Sequence, residues 1–214
     1  MNVTQSVRVG ICDYGVGNLR SVERALRACG ADPVISDDPE RLAGCDGVVL
    51  PGVGAFAVAA GALRERGMDA MIREMVARGR PLLGVCLGFQ LLFDESDEGE
   101  GGAGLALLPG QVRRIDPSRG KVPQIGWNRL AMTRSSTLLD GVADGEYMYF
   151  VHAYAVTPGQ RTDVVATTDY GGELVAVVEH DNVHGAQFHP EKSGSAGLRV
   201  YANFAARCAA AVRA

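Results

Sequence analysis

Short apolar runs separated by helical patterns recur through the first half of this chain, and that alternation leaves few folds open to it. Residues 7–12 read as a strand, closed by Asp13-Tyr14-Gly15-Val16-Gly17. The spacing of Leu19, Val22, Leu26 and Cys29 predicts a helix with one apolar stripe, stopped by Gly30. Further strands are predicted over 32–36, 47–50 and 81–85, the second of them running into Pro51-Gly52-Val53-Gly54. Helices are predicted over 57–66 and 68–78, and another opens at 87–93. Strands alternating with helices in this way build a mostly parallel sheet covered by helices on both faces.

The second half changes character. Its runs are short, β-rich and bounded by turns: 111–115, 127–132, 147–157, 164–168, 174–179 and 183–188. Tyr170-Gly171-Gly172 and His180-Asp181-Asn182 are predicted hairpin turns. A last helix is predicted over 195–212, striped by Leu198, Tyr201, Phe204 and Cys208, and the acidic, Gly-rich segment 94–104 reads as a mobile surface loop. With no internal repeat and no linker, the expectation is one domain over residues 1–214.

Composition matters mainly for what it excludes. Hydrophobic residues at 47% beside 21% charged can fill a core, so global disorder is not expected. A net charge of -4 offers no footprint for nucleic acid or an anionic membrane. No apolar run approaches the roughly 18 residues of a membrane helix. Residues 1–8 are polar and do not read as a signal peptide. The five cysteines are scattered, odd in number and without CxxC spacing, which points to a reducing cytoplasm rather than a disulfide framework.

The strongest local signal is Gly84-Val85-Cys86-Leu87-Gly88, a nucleophile held between flanking glycines at a strand-to-helix turn. The glycines leave room for the sharp turn and the crossing helix. A helix starting at Leu87 would put Cys86 at its positive end, where a thiolate is favoured. The other four cysteines lack such an elbow and read as small packing residues. A thiol nucleophile needs a base, and the chain has four histidines. His189 ends an apolar run and precedes Pro190, which biases it toward extended backbone. Residues two apart on an extended segment share a side, so Glu191 is placed to orient His189. Alone, His-x-Glu describes many solvated strand ends; beside the cysteine elbow it predicts a Cys–His–Glu triad.

Pro51-Gly52-Val53-Gly54 reads either as a plain Gly-rich turn or as a source of inward N–H groups for an oxyanion, with the Leu87 amide as second donor. Asp13-Tyr14-Gly15-Val16-Gly17-Asn18 lacks both the third glycine of a dinucleotide fingerprint and a Walker lysine, so no nucleotide cofactor is expected. His180 and His184 lie across a turn without a cysteine pair, so no metal is expected either.

Gly84-Val85-Cys86-Leu87-Gly88-Phe89-Gln90 together with His189-Pro190-Glu191 resembles the class I (triad) glutamine amidotransferases. Four more stretches are similar to the glutaminase subunits of imidazole glycerol phosphate synthase: Asp13 onward to Val22, Pro51-Gly52-Val53-Gly54-Ala55-Phe56, Val122 onward to Asn128, and Tyr149-Phe150-Val151-His152-Ala153-Tyr154. The resemblance spans nearly the whole chain and implies a flavodoxin-like, doubly wound sheet with antiparallel additions. It implies Cys86 as nucleophile, His189 as base and Glu191 as its orienter, with Gln90 and Glu98 holding glutamine and the Gly52-Val53-Gly54 segment reorienting on activation. It also implies a heterodimer with a (β/α)8-barrel cyclase that consumes the ammonia, contacted through Asn18, Trp127 and Lys192. Trp127, the only tryptophan, is expected to be an exposed anchor. Ala153 stands where the family pattern has serine, and Ala55 where an ionisable residue is common. Rival readings are a glutaminase for an anthranilate-type synthase and a non-catalytic subunit of the same fold.

Overall fold

The computed structural model of the protein describes residues 6–212, so the reading of residues 1–8 as polar and unlike a signal peptide lies, for residues 1–5, outside the described residues. The first half runs β1 (Arg8–Cys12), α1 (Leu19–Ala28), β2 (Asp32–Ser36), α2 (Pro39–Ala43), β3 (Gly47–Gly52), α3 (Phe56–Glu65), α4 (Met68–Ala77), β4 (Leu82–Cys86) and α5 (Leu87–Gln90). The second half runs β5 (Glu95–Ser96), β6 (Gly102–Ala103), β7 (Gly110–Arg114), β8 (Gln124–Met132), β9 (Tyr147–His152), β10 (Tyr154–Pro158), β11 (Val164–Asp169), β12 (Glu173–His180), β13 (Val183–Ala186) and α6 (Gly194–Ala211).

A sheet of nine strands in the order β2-β1-β3-β4-β13-β12-β11-β8-β9 forms the centre. The first five are mutually parallel, in the flavodoxin-like order with β13 in fifth place. From β12 outward the pairing is antiparallel. Successive strand residues point to opposite faces, and both faces are covered. Val22 and Leu26 of α1 with Val200 and Phe204 of α6 pack on Val9, Ile11, Val49 and Val85. Phe56 and Leu63 of α3 with Ile72 and Met75 of α4 pack on Cys12, Val48, Leu50 and Leu82. A smaller sheet, β10-β7-β5-β6, flanks the carboxyl end of β4 through the segment that follows α5.

Five expectations change. The helix predicted over 87–93 is the single turn α5, because the Leu91, Leu92 and Phe93 carbonyls accept from backbone N–H groups of residues 105–108 instead of continuing a helix. The segment 94–104, expected as a loop, is organised by that pairing into β5 and β6. The single strand predicted over 147–157 is two strands, which leave one sheet for the other at Ala153, whose carbonyl accepts from Ile115 N–H at 2.9 Å. In α6, Leu198 is exposed; the buried stripe is Gly197, Tyr201, Phe204 and Cys208, with Val200 and Ala205 beside it. Finally, α2 was not predicted: Pro39 at its first turn and Asp38, which accepts from Glu40 N–H, start it over only five residues.

Candidate active site

Cys86 stands where β4 ends and α5 begins, with φ 56° and ψ −111°, a left-handed backbone that a non-glycine residue rarely adopts. Holding it there costs about 1–3 kcal/mol, and the surroundings allow no alternative. A Cβ on Gly84 would come within 2.7 Å of the Gly88 carbonyl oxygen, and one on Gly88 would overlap the Leu50 carbonyl. The turn is therefore tight enough to push the thiol up and out of the sheet. One turn of helix carries little macrodipole, so the electrostatic help expected from α5 reduces to the N–H groups of its first turn. Cys86 Sγ lies 3.7 Å from the Val151 carbonyl oxygen and 4.0 Å from Gln187 Nε2.

His189 reaches the same place from β13, the neighbour of β4. It is buried, and Nδ1 pairs with Glu191 Oε1 at 2.8 Å. The pairing expected from extended backbone arises otherwise: residues Pro190–Lys192 form a 3-10 turn, which folds Glu191 back beneath the ring. With Nδ1 donating to the carboxylate, Nε2 is the ring atom left to take a proton, and it is buried without a hydrogen-bond partner. Burial alone would lower the imidazole pKa; the adjacent Cys86 and Glu191 side chains outweigh it and raise it to about 9. Burial pushes the thiols of Cys12, Cys45 and Cys29 up, and that of Cys208 up to about 12, and all five cysteines are free.

A cavity of about 150 Å³ opens over Cys86, lined by Val53, Gly54, Leu87, Gln90, Glu98 and the segment from Val151 to Tyr154. Not every lining residue is free to bind. Gln90 spends its amide donors on the Tyr154 carbonyl (2.9 Å) and Gln187 Oε1 (3.0 Å), leaving its oxygen as the group to offer. Glu98 Oε2 accepts the Phe56 N–H at 2.7 Å, so this carboxylate caps α3 while lining the cavity. Gly52 is locked in β3: the Tyr14 hydroxyl donates to the Pro51 carbonyl at 2.6 Å, and a Cβ on Gly52 would meet that hydroxyl at 2.5 Å. Exposed Val53, with Gly54 at φ +103°, is where the segment expected to meet an oxyanion has conformational freedom.

The expected contact residues divide between two places. Trp127 on β8 is 52% exposed and stacks edge-on against Tyr149 of β9 at 5.8 Å. Lys192 Nζ lies 5.7 Å over the same Tyr149 ring. Asn18 is exposed at the start of α1, next to Gly17, which abuts Pro51. Several residues for which no role was expected hold this arrangement. His189 N–H donates to the Tyr149 carbonyl (3.0 Å), Tyr149 N–H to Ser193 Oγ (3.0 Å), and Ser193 Oγ to the His189 carbonyl (2.7 Å). His152 is buried beside His189, with Nδ1 on the Tyr154 carbonyl at 2.7 Å; burial, against the help of that carbonyl, lowers its pKa to about 4, so it is neutral.

His180 pairs with Asp163 at 3.1 Å and His184 accepts from Arg207 Nε at 2.9 Å, so both are engaged by protein groups. Among the described residues, no cluster of three His, Cys, Asp or Glu side chains could hold a metal ion, and no helix is long and apolar enough to cross a membrane.

Comparison with known proteins places the chain in a family. Residues 10–208 match the family described as glutamine amidotransferase class-I. The chain is similar to proteins named imidazole glycerol phosphate synthase subunit HisH: it is 51% identical to that of Geobacillus thermodenitrificans, over 90% of this chain and 92% of the relative. It is 50% identical to that of Methanothermobacter thermautotrophicus, over 92% and 96%. Among solved structures, a glutamine amidotransferase superposes with a TM-score of 0.73 at 24% identity, covering 92% of this chain and 98% of the other. PurLQS from Thermotoga maritima superposes with a TM-score of 0.73 at 23% identity, covering 94% and 98%. At such identities the likeness concerns the fold alone.

Proposed function

The chain belongs to the class-I glutamine amidotransferase family, and from that premise we propose that it is the glutaminase subunit of an imidazole glycerol phosphate synthase, acting as one domain in the cytoplasm and passing ammonia to a (β/α)8-barrel cyclase. The observation that carries the reading is a strained cysteine elbow that lines a cavity and has a buried His189–Glu191 pair beside it. Cys86 Sγ attacks the side-chain amide carbon of glutamine, its proton passing to His189 Nε2. The tetrahedral oxyanion is met by the Leu87 N–H and by an N–H of the Val53-Gly54 segment once that peptide turns inward. His189 then gives its proton to the departing nitrogen, releasing ammonia and leaving a glutamyl thioester on Cys86. Water, deprotonated by His189, hydrolyses the thioester to glutamate and restores the thiol. Glu191 holds the imidazole tautomer throughout and balances its charge. The Gln90 carbonyl and the free oxygen of Glu98 are the acceptors available for the substrate's α-amino group.

Bound at the Trp127–Tyr149–Lys192 rim and at Asn18, the cyclase would receive ammonia before solvent protonates it. The test is ammonia release from glutamine by the chain together with its co-purified partner. Cys86→Ala is expected to abolish it in a folded protein, whereas Cys12→Ala, Cys29→Ala, Cys45→Ala and Cys208→Ala keep most of it. Substantial turnover by folded Cys86→Ala would eliminate the triad.

A further inference from the structure

Glu191 accepts through both carboxylate oxygens: Oε1 pairs with His189 Nδ1 at 2.8 Å, and Oε2 takes the Tyr201 hydroxyl at 3.3 Å. Resting on the triad reading above, we propose that Tyr201 is a positioning residue for the glutaminase reaction, its hydroxyl holding the Glu191 carboxylate so that Oε1 stays aligned on the His189 ring. The terminal torsion of a glutamate is broad and roughly two-fold, so a single bond to His189 leaves the carboxylate free to swing. A second bond on the other oxygen selects one orientation. Solvent is poorly placed to compete for it, because the Glu191 side chain is 3% exposed and Tyr201 is wholly buried.

The helix that carries Tyr201 is seated for this purpose. Gly197 and Tyr201 are four residues apart and share a face of α6. A Cβ on Gly197 would overlap the Pro190 carbonyl oxygen, so the backbone of α6 lies directly on the turn that holds Glu191. One helical turn further, the phenol delivers its hydroxyl to the carboxylate. Burial first, then the neighbouring Glu191 charge, keep that phenol protonated well above its ordinary range, with Cys29 at the end of α1 the other titratable group acting on it. The donor is thus retained at any pH at which the enzyme works.

The test compares wild type, Tyr201→Phe, Glu191→Gln and the double variant, each with its partner subunit, in glutamine hydrolysis. Tyr201→Phe is expected to lower kcat about three- to tenfold, the worth of one ordinary hydrogen bond, with KM for glutamine unchanged. The double variant is expected to be no slower than Glu191→Gln alone, because the hydroxyl acts only through that carboxylate. NMR titration of His189 supplies a readout that a purely packing tyrosine would leave untouched: its midpoint falls in Tyr201→Phe. The same fall is expected in Tyr201→Leu, the second variant should the phenylalanine protein fail to fold. An unmoved His189 midpoint with unchanged kcat in folded Tyr201→Phe overturns the inference, as do losses that multiply in the double variant. Full activity in Glu191→Gln would bring down the triad reading as well, whereas slow Glu191→Gln beside fully active Tyr201→Phe removes only the role of Tyr201.

Discussion

Among the described glycines Gly88 has the least room, since any Cβ there would overlap the Leu50 carbonyl and separate α5 from β3. Gly88→Ala is expected to cost about 3 kcal/mol or more, the range of severe backbone clashes, read as a large fall in melting temperature. His189 makes a different prediction, in pH. Its pKa rises on folding from 6.5 to about 9, with burial opposing and the Cys86 and Glu191 side chains driving the rise. A group raised in this way stabilises the fold most below the unfolded value, where it is protonated in both states, and the contribution is lost as pH climbs through the folded value. The stability advantage of wild type over Glu191→Gln should therefore be full below about pH 6.5 and shrink toward pH 9, measured by denaturant unfolding across that range. Residues such as Cys86, His189 and Glu191 stood out in the sequence because their chemistry imposes local spacing. Tyr14, Ser193 and Tyr201 did not, because a hydroxyl whose hydrogen-bond partners are set by the folded chain looks, in one dimension, like any other core or turn residue.

At the scale of elements, the parallel half was legible because buried strands and amphipathic helices alternate with clean punctuation. The break between β9 and β10 was not, since the apolar pattern runs on through Ala153 while the backbone changes sheets. The length of α5 was equally hidden, being decided by residues 105–108 taking the carbonyls that a longer helix would have used. The last two strands of the large sheet, β8 and the edge strand β9, carry Ile125, Trp127 and Tyr147 on an exposed face. Trp127→Ala is expected to weaken partner binding by about 2 kcal/mol, the scale of an aromatic anchor, with little change in the melt of the isolated chain. A melt shifted far down at unchanged affinity would make Trp127 a fold residue instead.

For the whole molecule the expectation concerns control. Alone, the chain should turn glutamine over slowly; with its partner it should be faster, and fastest with the partner's nucleotide-type ligand bound. With Gly52 pinned by Tyr14, the switching peptide is confined to Val53 and Gly54, and gaining one oxyanion donor there amounts to about 100- to 1,000-fold in rate. Glutamine turnover measured in the three states decides it: equal rates would remove the switch and leave the triad standing.

The position of β13 has a consequence for how the protein comes into being. It is the last strand among the described residues, yet it lies inside the sheet between β4 and β12. A ribosome making the chain from its N-terminus delivers Cys86 long before His189, so the proposed nucleophile waits without its proposed base until β13 threads into place. Pairings of such long sequence separation form slowly. Ammonia release is then among the last properties that a newborn copy acquires, and an unfinished chain has no means to squander glutamine.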